Sequence, residues 1–299
     1  MESFDRYSIV IALNHLIDTV DATNQTSLFK DYFMPVFVVI LSAITAYIIA
    51  IRGYQFQEAA KTERMKADLL NSIILQMQIM QASLISVKKN YSEDLTTHPI
   101  QRSLNVPMMP IKIEKVNFKP HELAQLLYMR NIDLEKNPWM NIASFFATYA
   151  NFNMFVELLT IRNKLDEEVK KNLAPLLSRA DVNGEIQMKD VVDSLSKDLL
   201  MKYIDVTEKF ITLVDDLLLT INDFLKHFPP KAAELIKKKY LNNYVYIQSY
   251  MNQSEVFKQS LVRCKSVDLD ILARVMKFDK EKVKKMYIDS SIVIVTPKI

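Results

Sequence analysis

Between Asp31 and Arg52 run twenty residues without a charge, Tyr32 to Ile51, and eleven of them are Phe, Val, Ile or Leu. At about 1.5 Å of rise per residue, a helix of that length reaches about 30 Å, the hydrocarbon thickness of a bilayer. Only a helix would satisfy its own backbone polar groups there. The polar side chains are Tyr32, Ser42, Thr45 and Tyr47, too few for the polar stripe of a soluble helix, and the two tyrosines sit near the ends. At ~0.3–0.6 kcal/mol per Leu, Ile, Val or Phe, the eleven residues favour insertion by roughly 3–6 kcal/mol. A transmembrane helix over 32–51 is expected, with a buried core helix as the competing reading. A cleaved signal peptide fits poorly, because the leader carries Glu2, Asp5, Asp18 and Asp21.

Lys and Arg counts set the orientation. Arg6 and Lys30 precede the apolar run, whereas Arg52, Lys61, Arg64 and Lys66 follow it closely. The expectation is a single-pass protein of a cell (inner) membrane with its C-terminal portion cytoplasmic. The lone Cys264 agrees, since it cannot form an internal disulfide. From residue 52 onward there are 36 basic and 30 acidic side chains, a surplus that suits anionic lipid and is too diffuse for nucleic acid.

The remaining sequence reads as mainly α. Segment 1–31 is an extracytoplasmic or interfacial amphipathic stretch, with Phe4, Tyr7, Val10, Ile11, His15 and Asp18 at helical spacing. The span over 32–51 comes next, then a long amphipathic helix over 52–91. In that helix Leu70, Ile73, Met77, Met80, Leu84, Val87 and Tyr91 alternate steps of three and four, the seam of a coiled coil or of a helical bundle. Ser72, Gln76, Ser83, Ser86 and Lys89 lie opposite. An intramolecular bundle is the favoured reading and a homodimer the alternative.

Segment 92–110 reads as a polar connector with Pro99, Pro107 and Pro110. A helical-bundle domain is expected over 111–250. It would open on an extended segment (Ile111, Ile113, Val116, Phe118) and a short helix after Pro120. Helices from Trp139 to about Leu177 and from Lys189 or Leu199 to Phe228 follow, the second stopped by Pro229 and Pro230. Lys231 to Tyr246 continues as helix. Segment 251–299 holds a helical pair, Asp268 to Met276 and Lys280 to Tyr287 with Asp279 as cap, and a terminal strand over Ile292 to Val295. At most a few short strands are expected in all.

Chemistry-bearing motifs are scarce. Gly53 and Gly184 are the chain's two glycines, which excludes the glycine-rich loops of dinucleotide folds, P-loop ATPases and kinases. His15, His98, His121 and His227 stand far apart with no second ligand at metal spacing. His227 reads as a helix-end cap and His98 as a solvated loop residue. Asp181, Asn183, Gly184, Ile186 and Asp190 imitate the middle of a calcium loop, but Arg179 would occupy the first ligand position. A plain turn is the better reading. Neither a cofactor nor a catalytic residue is expected. Lys237 to Lys239 and Lys280 to Lys285 read as solvated basic faces. Within the span, Ser42, Ala46 and Ala50 recur at four-residue intervals, the small side chains that let two membrane helices approach.

The stretches Lys66 to Val87, Pro107 to Leu127, Asn151 to Asn163 and Asp205 to Pro229 occur in an order that resembles a diffuse group of uncharacterised bacterial single-span membrane proteins with a cytoplasmic helical domain. The resemblance implies that architecture and brings no activity with it; the tail beyond Tyr250 lies outside it. The expected function is a non-enzymatic, membrane-anchored interaction or scaffold protein, with membrane lipid and a protein as partners. The alternative is an effector in stress or phage defence that oligomerises and perturbs the bilayer.

Overall fold

The structure, a computed structural model, describes residues 6–21, 29–116, 123, 126, 137–178, 187–250, 252 and 254–289. The expected turn at Asn183 and Gly184 and the strand over Ile292 to Val295 lie outside those residues; of the helix after Pro120, Leu123 and Leu126 are described, both helical and buried. The described chain is mainly helical and contains no strand. Its internal contacts divide it into residues 1–62 and 63–299, which are taken separately.

In the first unit, α1 (Arg6–Asp21) exposes Val10, Ile11, Leu16 and Ile17, and a π turn (Phe29–Phe33) precedes α2 (Met34–Lys89). Residues 34–89 form one uninterrupted helix. Gly53 sits inside α2 with open space around it, and one helical glycine costs only about 1 kcal/mol against alanine. No proline interrupts the helix beyond Pro35.

In the second unit, the remainder of α2 joins α3 (Pro99–Asn105), α4 (Ile142–Leu177), α5 (Met188–Ser194) and α6 (Lys197–Glu234), then the short α7 (Glu255–Ser260), α8 (Leu269–Met276) and α9 (Lys280–Lys284). Local chemistry sets the helix starts. Asn141 accepts from the Ala143 amide at 3.0 Å to open α4, after a 3₁₀ turn at Pro138–Met140. Ser196 accepts from the Leu199 amide to open α6; Asp268 and Asp279 do the same for α8 and α9. Lys277, at φ 54°, turns α8 into α9.

Two cores result. The first joins Leu70, Ile73, Met77 and Leu84 of α2 to Phe145, Phe152 and Phe155 of α4 and to Phe210, Phe224 and Phe228 of α6. The second joins Ile100 of α3, Val169 and Leu173 of α4, Leu200 and Ile204 of α6, and Leu272, Met276 and Val283 of α8 and α9. The described tail residues Leu272, Met276 and Val283 therefore pack in the same core as α4 and α6.

The connector over 92–110 holds α3 and buries Leu95, Ile100, Val106 and Met109. The extended stretch through Val116 pairs with side chains instead of a strand. Asn153 exchanges two hydrogen bonds with the Val116 backbone, at 2.9 and 3.1 Å, and Asn163 does likewise with Met109. A side-chain amide offers the same donor and acceptor as a peptide group, so two asparagines on one helix replace a β partner.

Helix α6 continues through Pro229 and Pro230 to Glu234, because Phe228, Pro229, Ala232 and Ala233 are buried and their packing offsets the lost backbone bonds. His227 is thus inside the helix, 2.9 Å from the Asp223 carboxylate, and does not cap its end. Beyond α6 a 3₁₀ turn at Lys238–Tyr240 is the last described helical element before α7, and Asn242 takes a left-handed conformation at φ 49°, a backbone state asparagine tolerates. The following segment lies along α2, where Asn71 accepts from the Ile247 amide at 2.8 Å and Gln81 from the Tyr250 hydroxyl at 3.1 Å.

Candidate functional site

Helix α6 carries ionisable groups where its apolar spacing leaves no room for solvent. Tyr203, Glu208 and Asp215 all face inward, and each meets a buried cation from a different element. Arg102 of α3 grips Glu208 with two bonds, 2.8 and 3.1 Å, and donates to the Thr96 and Lys265 carbonyls. Lys88, at the end of α2, lies 2.6 Å from Asp215 and donates to the Ser260 and Val262 carbonyls at 2.8 and 2.6 Å.

Arg162 of α4 is wholly buried. It pairs with Asp166 at 3.0 Å, meets the Tyr203 hydroxyl at 3.1 Å, and donates to the carbonyls of Ser103, Val106 and Pro107. The Tyr203 hydroxyl in turn donates to Asp166 at 2.6 Å. Lys170 brings a second cation within 2.8 Å of the other Asp166 oxygen, outside hydrogen-bond geometry.

Each cation therefore does two things at once. It neutralises a carboxylate, and it holds an irregular stretch of main chain against a helix. Ion pairs this deep pay heavily in lost hydration, and their extra hydrogen bonds are what make them tolerable. Burial pushes the Glu208 carboxyl above its ordinary value against the pull of Arg102. Burial does the same to Asp216, opposed by Arg263 at 2.5 Å. Tyr91, fully buried near this cluster with an unpartnered hydroxyl, is raised well above the ordinary phenol range by burial.

Cys264 belongs to the same cluster. Its amide donates to Asp215 at 2.7 Å, and its thiol points at the same carboxylate. Burial, then the Asp215 charge, pushes the thiol up to about 12, so almost no thiolate is present near neutrality. A thiol raised in the folded state stabilises the fold fully below its ordinary pKa and loses that contribution as pH climbs toward the folded value. The full chain should therefore lose stability between about pH 9 and 12, more steeply than a Cys264→Ser variant. Thermal unfolding across that range measures it, and identical profiles would refute it.

Two depressions of about 440 and 400 Å³ flank the segment holding Arg263, Cys264 and Lys265. A third, of about 370 Å³, lies between the Pro138–Met140 turn and α6, over Trp139 and Phe228. In it Trp139 Nε1 donates to Asp223 at 2.6 Å, and Asp223 also meets His227. His98 lies half-buried in the bend before α3, with its Nδ1 buried and without a hydrogen-bond partner. Among the described residues, no group of three or more His, Cys, Asp or Glu could hold a metal ion.

The seam residues Leu70, Ile73, Met77, Met80, Leu84, Val87 and Tyr91 are 0–1 % exposed, all within their own chain's first core. Ser42, Ala46 and Ala50 are all exposed on the apolar part of α2. The ionic row was missed in the sequence, although a signal existed. On α4 the inward positions Phe155, Leu159, Val169 and Leu173 continue through Arg162 and Asp166, two charges at apolar register. Residues 179–186, which imitate part of a calcium loop, lie outside the described residues; Asp190 is exposed in the first turn of α5.

One helix, within Phe29–Lys89, is long and apolar enough to cross a membrane by length and composition, and its most apolar stretch is uncovered by the rest of the chain. No family model, curated protein or solved structure matches this chain, which leaves its own residues as the ground for assigning a role.

Proposed function

We propose that this chain is a non-enzymatic interaction protein, held in a cell membrane by the first part of α2 and presenting the helical bundle of residues 63–299 on the cytoplasmic side. The observation that carries the reading is the apolar stretch of α2: Val36, Val39, Ile40, Ile44, Tyr47 and Ile49 are 51–67 % exposed. Exposed apolar surface on that scale is costly in water and favourable in lipid. The basic residues Arg52, Lys61 and Arg64 support the cytoplasmic assignment. The buried ionic groups support a structural role: they face one another and main-chain carbonyls, and the one thiol is held protonated.

Substituting Ile44→Arg places a charge near the middle of the stretch, at a cost of about 2.5–3.5 kcal/mol for insertion. The variant should move from the membrane to the aqueous fraction, while the parent stays in the membrane and expression of the parent leaves membrane potential unchanged. Depolarisation abolished by Ala46→Phe would replace this reading with that of a membrane-perturbing oligomer.

A further inference from the structure

From Leu69 to Val87 there are nineteen consecutive residues without a charge. The inner side of this part of α2 is core, but the outer side is not covered: Leu75 is 49 % exposed, Ile79 is 64 % exposed, and Ser72, Ala82 and Ser86 are exposed as well. These five positions step by three, four, three and four, the spacing of a heptad seam. A surface helix in water normally fills such positions with charge. Helix α4 does so, exposing Lys164, Glu167, Glu168 and Lys171.

Both edges of the strip are fixed by the chain itself. Tyr149 donates to Gln76 at 2.7 Å on one side, and Asn71 holds the Ile247 amide on the other. A second seam therefore stands on the back of the first, rigidly held.

We propose that this strip docks a second copy of the chain, parallel and in register. Ile79 takes the position where β-branched residues favour two parallel strands, Leu75 takes the position where leucine does, and the small Ser72, Ala82 and Ser86 permit close approach. The inference rests on the membrane reading. Two copies entering from one bilayer are parallel and at equal height, so residue 79 meets residue 79. At about 21 Å long and about 10 Å wide, the strip covers far less than the ~800 Å² per partner of a stable solution complex. The dimer consequently needs the high effective concentration that a shared membrane supplies.

The test uses the full chain in membranes with Cys264→Ser. In that background Ile79→Cys should form a disulfide-linked dimer on mild oxidation about tenfold more than Lys171→Cys, an exposed position off the strip. Adding Ile79→Glu to a Ser86→Cys chain should lower its cross-linking about tenfold, because like charges would then face each other in the seam. Thermal unfolding should be unchanged, as residue 79 is 64 % exposed. Equal cross-linking at 79 and 171, or none at 79 with the protein in the membrane, would overturn the dimer alone. Recovery of the chain in the aqueous fraction would overturn the anchoring reading and the dimer together.

Discussion

Replacing Arg162 by Met should destabilise the helical unit by about 3–5 kcal/mol, the cost of stripping one partner from a buried ion pair. Arg162 is 0 % exposed and serves five acceptors: Asp166, the Tyr203 hydroxyl, and the carbonyls of Ser103, Val106 and Pro107. Methionine fills much of the volume and supplies no donor. Lys170 would still partly neutralise Asp166, but three carbonyls would lose the bonds that Arg162 donates. The double variant Arg162→Met/Asp166→Leu should recover only part of the loss, because it cures the stranded carboxylate and leaves the carbonyls. Denaturant titration of the full chain in detergent micelles, followed by far-ultraviolet circular dichroism, measures both. A loss below about 1 kcal/mol for the single variant would show that the arginine does not hold the connector in place.

Phe224→Ala should cost a similar ~3–5 kcal/mol by a different mechanism, the opening of a cavity in close packing. Phe224 is 0 % exposed and lies edge-on to Trp139 and to Phe145, at 5.2 Å in each case, and stacked on Phe228 at 4.6 Å. Such ring pairs add to what area burial alone supplies. Trp139 is the chain's single tryptophan, so its fluorescence reads the site directly. The variant should shift Trp139 emission to longer wavelength and lower the unfolding midpoint together. An unchanged emission spectrum with parental stability would mean the cluster does not carry the first core.

What the sequence disclosed follows from period. The inner seam of α2 is a regular three–four alternation of large apolar residues, and no competing signal obscures it. The cap Asp279 is visible for the same reason, a short acidic side chain ahead of a helical turn, whereas Asp268 reads as the first residue of its helix and is in fact its cap. Other features depended on contacts distant in the chain. Arg102 sits among prolines and polar residues, and only Glu208, over a hundred residues away, explains why it is buried. The prolines at 229 and 230 are breakers by local rule, overridden by a core that neighbouring residues alone do not reveal. Asn153 and Asn163 read as ordinary helical residues until the extended stretch lies beside them. The polar side of α2 does face outward, with Ser72, Ser86 and Lys89 exposed, and Leu75 and Ile79 are exposed among them.

The anchoring of α2 is tested most directly by extracting membranes that hold the full chain with alkaline carbonate. The chain should remain with the bilayer pellet and come out only with detergent, since some twenty uncharged, mostly apolar residues would have to enter water to leave. Release into the supernatant without detergent would contradict a membrane span and remove the basis for both the cytoplasmic module and the parallel dimer.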